Sequence, residues 1–326
     1  MGLQSNKAKL HPSSDVTRVL FIAGALRSGS TLLDRVIGAH EGFYSVGEAH
    51  TIWEGSFEGN QLCGCGAPFH ECAFWDEVSR RAFDVAPAQF DPTTAIHLKD
   101  SVGRIRHGPQ LFLPRRPSRH KTIISSYGEL IRRLYTAIQA VSGARVIVDS
   151  SKSPTHALVL SRLPGVEVNV VHLVRDPRAV VFSRQRERRQ AEIHRKAGDV
   201  LIERVSTSAG RWMTLNALAE LLSASTTSYC RLRYEDFLAD PDAALSKILS
   251  SYEWIRNDPT KTDSMEVLLE PAHTVAGNRM RFKSGKLRLK LDDEWREAMS
   301  QRDRQTVEAI TWPLLMHYGY HFGTDE

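Results

Sequence analysis

Val19-Leu-Phe-Ile-Ala-Gly-Ala-Leu-Arg-Ser-Gly-Ser-Thr-Leu-Leu33 is the stretch around which the rest of the chain is organised. Its apolar first part, Val19 to Ala23, predicts a buried strand, and the amphipathic segment from Leu32 to Ala39 predicts a helix. Gly24 and the polar residues that follow predict a tight loop between them. A loop that leads into a helix N-terminus presents unpaired N–H groups and the positive end of the helix dipole. The stretch therefore predicts a phosphate-binding loop.

The polar centre of this loop carries groups that suit an anion. Ser28, Ser30 and Thr31 supply hydroxyl donors, and Arg27 supplies a planar guanidinium that matches oxyanions. Gly29 lets the backbone approach a ligand closely. All five are candidate binding residues. The alternative is an ordinary strand–turn–helix with a solvated arginine.

The loop differs from that of a nucleotide triphosphatase. That motif requires lysine after its second glycine, where the lysine contacts the terminal phosphates. Ser30 follows Gly29 here. The sequence therefore predicts an anion cradle without the lysine and magnesium machinery.

Gly24-Ala-Leu-Arg-Ser-Gly-Ser-Thr-Leu32 resembles the 5′-phosphosulfate loop of sulfotransferases that use 3′-phosphoadenosine 5′-phosphosulfate (PAPS). The arginine form is similar to that of the Golgi tyrosylprotein and carbohydrate enzymes and their bacterial relatives. The resemblance covers residues 18 to 50 and 145 to 320. It implies a three-layer α/β fold, in which helices flank a central parallel sheet with a P-loop-like phosphate-binding loop.

The strand pattern agrees with this fold. Apolar and β-branched runs predict parallel strands near residues 18–23, 145–149, 167–174 and 228–233. Between residues 55 and 142 the pattern predicts a variable helical insert. The rest of the domain is expected to alternate between strands and helices.

The domain limits follow from composition. Residues 1–15 are polar, and we expect a disordered tail there and a single sulfotransferase domain over residues 16–326. Residues 108–120 carry three prolines and several arginines, which predict a loop or lid. No internal repeat or linker divides the chain.

The overall composition is that of a globular enzyme, with 326 residues, 41% hydrophobic and 25% charged. A formal net charge of +5 favours a polyanionic cofactor or an acidic acceptor. The sequence has no long Lys/Arg tract of the kind that indicates nucleic-acid binding. It also has no apolar run long enough to span a membrane. The polar N-terminus lacks a secretory signal, so we expect a cytoplasmic protein.

Glu48 is the candidate general base. It follows Gly47 in a short, partly apolar segment, at a position suited to a carboxylate at a strand end. Transfer to a hydroxyl needs a base near the attacking oxygen. In the tyrosylprotein enzymes that the chain resembles, a Gly-Glu pair at a similar distance from the loop arginine supplies this base. A surface carboxylate is the alternative role, and His50 is a rival base.

Three cysteines, Cys63, Cys65 and Cys72, lie within ten residues of one another. With His70 nearby they could hold zinc, although the spacing is not the usual one. A disulfide involving Cys72 or simple packing are the other possibilities. Bacterial members of the resembled family often carry similar cysteines after the base. We therefore interpret them as part of a family insert near the acceptor site and expect no metal.

Lys152 follows the strand that ends near Asp149. Loops at the carboxyl ends of parallel strands meet ligands. The resemblance implies that Lys152, in Lys152-Ser-Pro154, stabilises charge on the leaving phosphate oxygen. A solvated loop lysine is the alternative, and Asp149 could instead orient magnesium in a kinase.

The strand Val166 to Val174 is followed by Arg175-Asp-Pro-Arg. The resemblance implies that Arg175 and Ser183, eight residues later, hold the 3′-phosphate of PAPS, which is sound chemistry for a phosphate monoester. The family tends to place an arginine four residues after the serine. Glu187 stands there instead, so either Arg186 or Arg188 could serve.

Two later segments complete the resemblance. Tyr234, in a Tyr-Glu-Asp-Phe motif, is expected to pack near the adenosine, with a core tyrosine as the alternative. Asn278 and Arg281 match a basic C-terminal loop that lies near the nucleotide in the Golgi and bacterial enzymes. A loop with a purely structural role is the other possibility.

Together these residues predict PAPS-dependent O-sulfotransfer without a metal. Glu48 would deprotonate the hydroxyl of a sugar, lipid, tyrosine or small natural product, while Arg27 and Lys152 stabilise the leaving group. A nucleotide-triphosphate-dependent kinase and a non-catalytic polyanion-binding module are the two alternative functions.

Overall fold

A computed structural model describes residues 16–103, 118–194, 204–252, 254 and 266–323. The tail predicted over residues 1–15 and most of the loop predicted over residues 108–120 lie outside these ranges. Within the described ranges, no helix combines the length and apolar character needed to cross a membrane.

The centre of the fold is a five-stranded, wholly parallel sheet with the strand order β2-β3-β1-β4-β5. Its strands are β1 (Thr17–Gly24), β2 (Phe43–Gly47), β3 (Val146–Lys152), β4 (Val166–Val174) and β5 (Ser228–Arg233). Helices cover both of its faces, which confirms the predicted three-layer α/β fold. The sequence indicated four of the five strands, and β2 is the addition.

The α-helices among the described residues are α1 (Ser30–Gly38), α2 (Ala73–Phe83), α3 (Thr93–Gly103), α4 (Ser118–Ser142), α5 (Pro154–Leu160), α6 (Pro177–His194), α7 (Val205–Glu220), α8 (Tyr234–Ala239), α9 (Pro241–Leu249), α10 (Trp295–Ala298) and α11 (Gln301–His317). A small antiparallel pair, β6 (Glu266–Leu269) and β7 (Gly285–Arg288), lies outside the main sheet.

The two faces of the sheet can be followed along β1, because successive side chains of a strand point to opposite faces. Val19 and Phe21 belong to a core that includes residues of α2, α4 and α5. Leu20 and Ile22 belong to a second core that includes residues of α1, α8 and α9. The apolar run that predicted a buried strand is thus explained by burial on both faces.

The parallel arrangement brings the predicted functional residues to one edge. Gly24 pairs with Leu173, just before the end of β4, and Ala23 pairs with Lys152 at the end of β3. Because carboxyl ends of parallel strands share an edge, the loops after β1, β2, β3 and β4 meet there.

The segment around Val275 pairs with the backbone at the carboxyl end of β2. The amide of Val275 donates to the Val46 carbonyl at 2.9 Å, and the amide of Glu48 donates to the Val275 carbonyl at 2.9 Å. Gly47 has a φ of 77°, and a Cβ there would lie 2.4 Å from the Val275 oxygen. Glycine is therefore required for this close approach.

Candidate active site

The loop after β1 has the geometry of an anion cradle. Gly29 is the N-cap of α1 with a left-handed φ of 89°, and its carbonyl accepts from the amides of Leu32 and Leu33. A Cβ on Gly29 would lie 2.2 Å from Cε2 of Tyr234. The Tyr234 ring thus fits against the loop only because residue 29 has no side chain.

A cavity of about 590 Å³ lies at this edge of the sheet. Ten of the twelve residues predicted for the site line it. They are Arg27, Gly29, Ser30, Thr31, Glu48, Lys152, Arg175, Ser183, Tyr234 and Asn278.

Ser28 and Arg281 take other positions. Ser28 is fully buried, and its hydroxyl has no hydrogen-bond partner among the described residues. Arg281 donates to the carbonyls of Ala276 at 3.0 Å and Leu62 at 2.8 Å. Its guanidinium therefore holds the C-terminal loop in place, and the role of Arg281 near a nucleotide stays a prediction.

Glu48 and Lys152 form an ion pair inside the cavity. Lys152 Nζ lies 2.6 Å from Glu48 Oε1 and donates to the Ser150 carbonyl at 2.9 Å. The Lys152 side chain is only 5% exposed, and its backbone has a φ of 61°. A left-handed conformation costs energy for a residue with a Cβ and is a recurrent feature of functional sites. The pair holds the carboxylate and the ammonium side by side.

Arg27, Arg175 and Ser183 form a second cluster. Arg27 Nε donates to Ser183 Oγ at 3.1 Å, and Arg175 Nη1 donates to the Arg27 carbonyl at 3.2 Å. The Arg175 guanidinium stacks over the Tyr234 ring, 4.9 Å from its centroid. Its Nε is buried without an acceptor in the part of the chain that the structure describes. Such an unpaired donor fits an oxyanion ligand.

Asp292 also belongs to this cluster, although no sequence motif pointed to it. Its carbonyl accepts from Arg175 Nη2 at 2.8 Å, and its carboxylate lies 3.8 Å from the same nitrogen and 2.6 Å from Arg186 Nη2. Burial acts to raise the pKa of Asp292, but Arg186 and Arg175 outweigh burial and lower it. Glu294 also accepts from Arg186, so Arg186 is held by acidic residues next to the cavity.

The C-terminal segment closes the cavity on one side. Gly277 lies close to both Glu48 and Thr31, and the Asn278 side chain caps the short turn that follows by accepting from the Met280 amide at 3.1 Å. Arg35 of α1 fixes this segment by donating to the carbonyls of Glu270, Arg281 and Lys283. No sequence motif pointed to Arg35, because its partners are backbone atoms far along the chain.

A second cavity of about 320 Å³ adjoins the first, and Leu26 and Lys152 line both. Its walls mix apolar and aromatic side chains with charged ones. They include His50, Lys99, Asp100, Val102, Tyr127, His156, Val159, Arg211 and Leu215. Lys152 thus lies where the two cavities join.

The rival base lies in this second cavity. Burial, followed by the neighbouring His156 and Lys152, lowers the pKa of His50 well below its usual value. The imidazole is therefore neutral near pH 7. Its Nδ1 has no partner among the described residues.

Asp149, the candidate metal ligand of a kinase, is fully buried and lines neither cavity. Its carboxylate accepts from the Ser151 amide at 2.8 Å and from the hydroxyls of Ser151 and Tyr135. Burial raises its pKa to about 6, against the lowering effect of these hydrogen bonds. Its position supports the strand end rather than a bound metal.

Comparisons with known proteins agree with this geometry. A family model described as "Sulfotransferase family" matches residues 79–258, just over half of the chain, including Lys152, Arg175, Ser183 and Tyr234. No match was found among curated proteins.

Solved structures share the fold. One is described as "Sulfotransferase Domain from the Curacin Biosynthetic Pathway", with 19% identity, a TM-score of 0.50 and coverage of 95% of this chain and 100% of that one. Another is the "Sulfotransferase Domain from the Synechococcus PCC 7002 Olefin Synthase", with 18% identity, a TM-score of 0.50 and coverage of 96% and 98%. The resemblance to the Golgi-type branch stays a prediction. The chain itself belongs to the sulfotransferase family.

Proposed function

We propose that this protein transfers a sulfuryl group from PAPS to an acceptor hydroxyl. The observation that carries the proposal is the placement of two clusters in one cavity: Arg27, Arg175 and Ser183 in one, and Glu48 with Lys152 in the other. A donor with phosphate groups at both ends of its ribose needs cations at two points of its site. The unpaired Nε of Arg175 and the glycine-bearing N-terminus of α1 fit such a ligand.

In this proposal the residues of the chain divide the chemistry. Arg175 and Ser183 bind the 3′-phosphate, and residues 27–31 bind the 5′-phosphosulfate. Glu48 removes the proton from the acceptor hydroxyl as its oxygen bonds to sulfur. The bond between sulfur and the phosphate oxygen breaks, and Arg27 and Lys152 stabilise the charge left on that oxygen. The products are a sulfate ester, 3′-phosphoadenosine 5′-phosphate (PAP) and a proton on Glu48.

The second cavity is the proposed entrance for the acceptor. It meets the first at Lys152, which is itself paired with the proposed base. A volume of about 320 Å³ suits a small acceptor or one end of a larger one. The walls from Tyr127 and Leu215 favour an acceptor with an apolar body next to its hydroxyl.

Calorimetry against PAP tests the donor part of the proposal, with ATP as the comparison ligand and no magnesium. We expect PAP to bind more tightly than ATP. Arg175→Ala should abolish this difference in affinity. Arg80 is an exposed arginine paired with Asp76, and the control variant Arg80→Ala should leave the difference unchanged. Absence of PAP binding, or preference for ATP only with magnesium, would contradict the proposal and favour the kinase alternative.

A screen of hydroxyl acceptors with PAPS, read by mass spectrometry as sulfated product, tests the catalytic part. PAP binding without turnover on sugars, lipids, tyrosine peptides and phenols would favour the polyanion-binding module instead.

A further inference from the structure

Three thiols and one imidazole converge at a place that the proposed chemistry does not use. Cys63, Cys65, Cys72 and His273 each offer one ligand atom, and all four atoms lie within 4.8 Å of one another. Cys63 and Cys72 are buried, whereas Cys65 is exposed. The imidazole comes from a position 201 residues after Cys72 in the sequence.

The separations between the ligand atoms are close to the edges of a zinc tetrahedron, the His273–Cys72 distance being the shortest. Ligands at a Zn–S distance of about 2.3 Å lie about 3.8 Å apart, and an S–N edge is about 3.5 Å. Cys72 Sγ lies 3.7 Å from Cys63 Sγ and 3.8 Å from Cys65 Sγ, while His273 Nδ1 lies 3.1 Å from Cys72 Sγ and 3.7 Å from Cys63 Sγ. These sulfur separations are far longer than a disulfide bond of about 2.05 Å.

The surrounding residues hold the four ligands in place. Gly66, with a φ of 93°, closes a tight turn in which its amide donates to the Cys63 carbonyl at 2.8 Å. The ring of Phe74 stacks on that of His273 at 5.0 Å and 8°, and the Trp75 indole donates to the His273 carbonyl at 3.0 Å. Neighbours that fix the orientation of a ligand are typical of metal sites.

The local charge also suits a bound metal. Three thiolates around Zn²⁺ leave a net charge of −1, which requires a nearby cation in a partly buried place. Arg281 donates to the carbonyl of Leu62, the residue next to Cys63. The positive charge of the buried Arg281 guanidinium would therefore offset the negative charge of the three thiolates and the zinc ion.

We propose that Cys63, Cys65, Cys72 and His273 bind one zinc ion in a closed, structural Cys₃His site. Soft thiolates with one imidazole select zinc, and four protein ligands leave no open position for catalysis. This inference reverses the expectation of no metal drawn from the sequence, and it does not depend on the proposed donor or acceptor.

The zinc would fasten the segment after Glu48 to the C-terminal segment. The Gly64 amide already donates to the Thr274 carbonyl at 2.9 Å, next to His273. Two residues further on, Val275 binds the backbone of Glu48. The site would thereby fix the position of the proposed base without touching the substrate.

Metal analysis of the purified full-length protein tests the proposal. We expect inductively coupled plasma mass spectrometry to find about one zinc ion per chain. After exchange with Co²⁺ we expect the visible absorption bands of tetrahedral Co²⁺ bound by thiolates. Cys65→Ser changes an exposed ligand and should fold. It should weaken zinc binding, measured by chelator competition, by more than the roughly 10- to 100-fold typical of outer-shell changes. Cys230→Ser, which changes the fourth cysteine, is the matched control and should keep the metal.

Three results would overturn the proposal. One is a folded, metal-free protein whose thiols at positions 63, 65 and 72 react freely and which does not take up Co²⁺. Another is an intact mass lighter by the hydrogens lost when a disulfide forms. Zinc that stays bound in both Cys65→Ser and Cys72→Ser would place it elsewhere, and this too would contradict the proposal.

Discussion

The side chains of Glu48 and Lys152 meet at 2.6 Å where the two cavities join. Lys152 lines both cavities, whereas Glu48 lines the larger one. In the proposed reaction the two groups would act on different oxygens, Glu48 on that of the acceptor and Lys152 on that of the leaving phosphate, although they contact each other.

Replacement of Glu48 by Gln should separate catalysis from binding. The amide keeps the shape of the side chain but cannot accept the proton, so we expect kcat to fall about 10²- to 10⁴-fold. PAP affinity by calorimetry should change little. His50→Gln is the control and should keep most of the activity. A near-normal kcat in Glu48→Gln, with a large loss in His50→Gln, would assign the base to His50.

Gly29→Ala should damage the phosphate loop. The new Cβ would meet the Tyr234 ring, and the left-handed backbone at residue 29 costs about 1–2 kcal/mol for any residue with a Cβ. We expect a lower free energy of unfolding in urea and weaker PAP binding. Gly210→Ala is the matched control, because Gly210 lies within α7 with nothing within 4 Å. There the change should stabilise the protein by roughly 0.5–1 kcal/mol.

Asp292→Asn should strengthen PAP binding. The Asp292 carboxylate lies near Arg175 and would compete with a bound phosphate for it. Loss of a partly exposed ion pair worth about 0.5–1 kcal/mol corresponds to a two- to five-fold gain in affinity. Asp76→Asn, at a remote ion pair with Arg80, should have no effect. Weaker PAP binding in Asp292→Asn would mean that Asp292 serves to orient Arg186.

Asp149 should make stability depend on pH. Its folded pKa of about 6 is above the ordinary value of 3.8, so the folded state binds more protons than the unfolded state between these values. The contribution of this carboxyl is therefore greatest below pH 4 and is lost as the pH rises through 6. The full loss is roughly 3 kcal/mol for a shift of two pKa units.

Urea unfolding at pH 4.5 and pH 7.5 measures this effect as the difference between wild type and Asp149→Asn, which cannot ionise. We expect wild type to lose stability relative to the variant as the pH rises. A difference that is constant with pH, or of opposite sign, would show that the hydrogen bonds from Tyr135 and Ser151 hold the pKa near its ordinary value.

The sequence predicted local structure correctly where that structure depends on residues that are consecutive in the chain. The strand, loop and helix around residues 19–33 follow from residues in direct succession, and so do the loop residues after β3 and β4. The segment Phe43–Gly47 was too short for its period to identify a strand, and pairing with β3 decides its conformation.

Contacts between distant residues could not be predicted. The three cysteines drew attention, but His70, the nearby candidate ligand, contacts the Phe57 carbonyl at 3.0 Å instead. His273 takes its place only because the chain returns there. Asp292 is likewise separated from Arg175 by 117 residues, and no local pattern relates the two.

The link between Gly47 and Val275 joins residues that are 228 positions apart, and Val275 pairs with the carboxyl end of β2, which is an edge strand of the sheet. Until the C-terminal segment has been synthesised, this edge has free amide and carbonyl groups that can pair with another chain. Nascent or truncated chains that end before residue 275 should therefore aggregate, even though the phosphate loop and most of the sheet are already present.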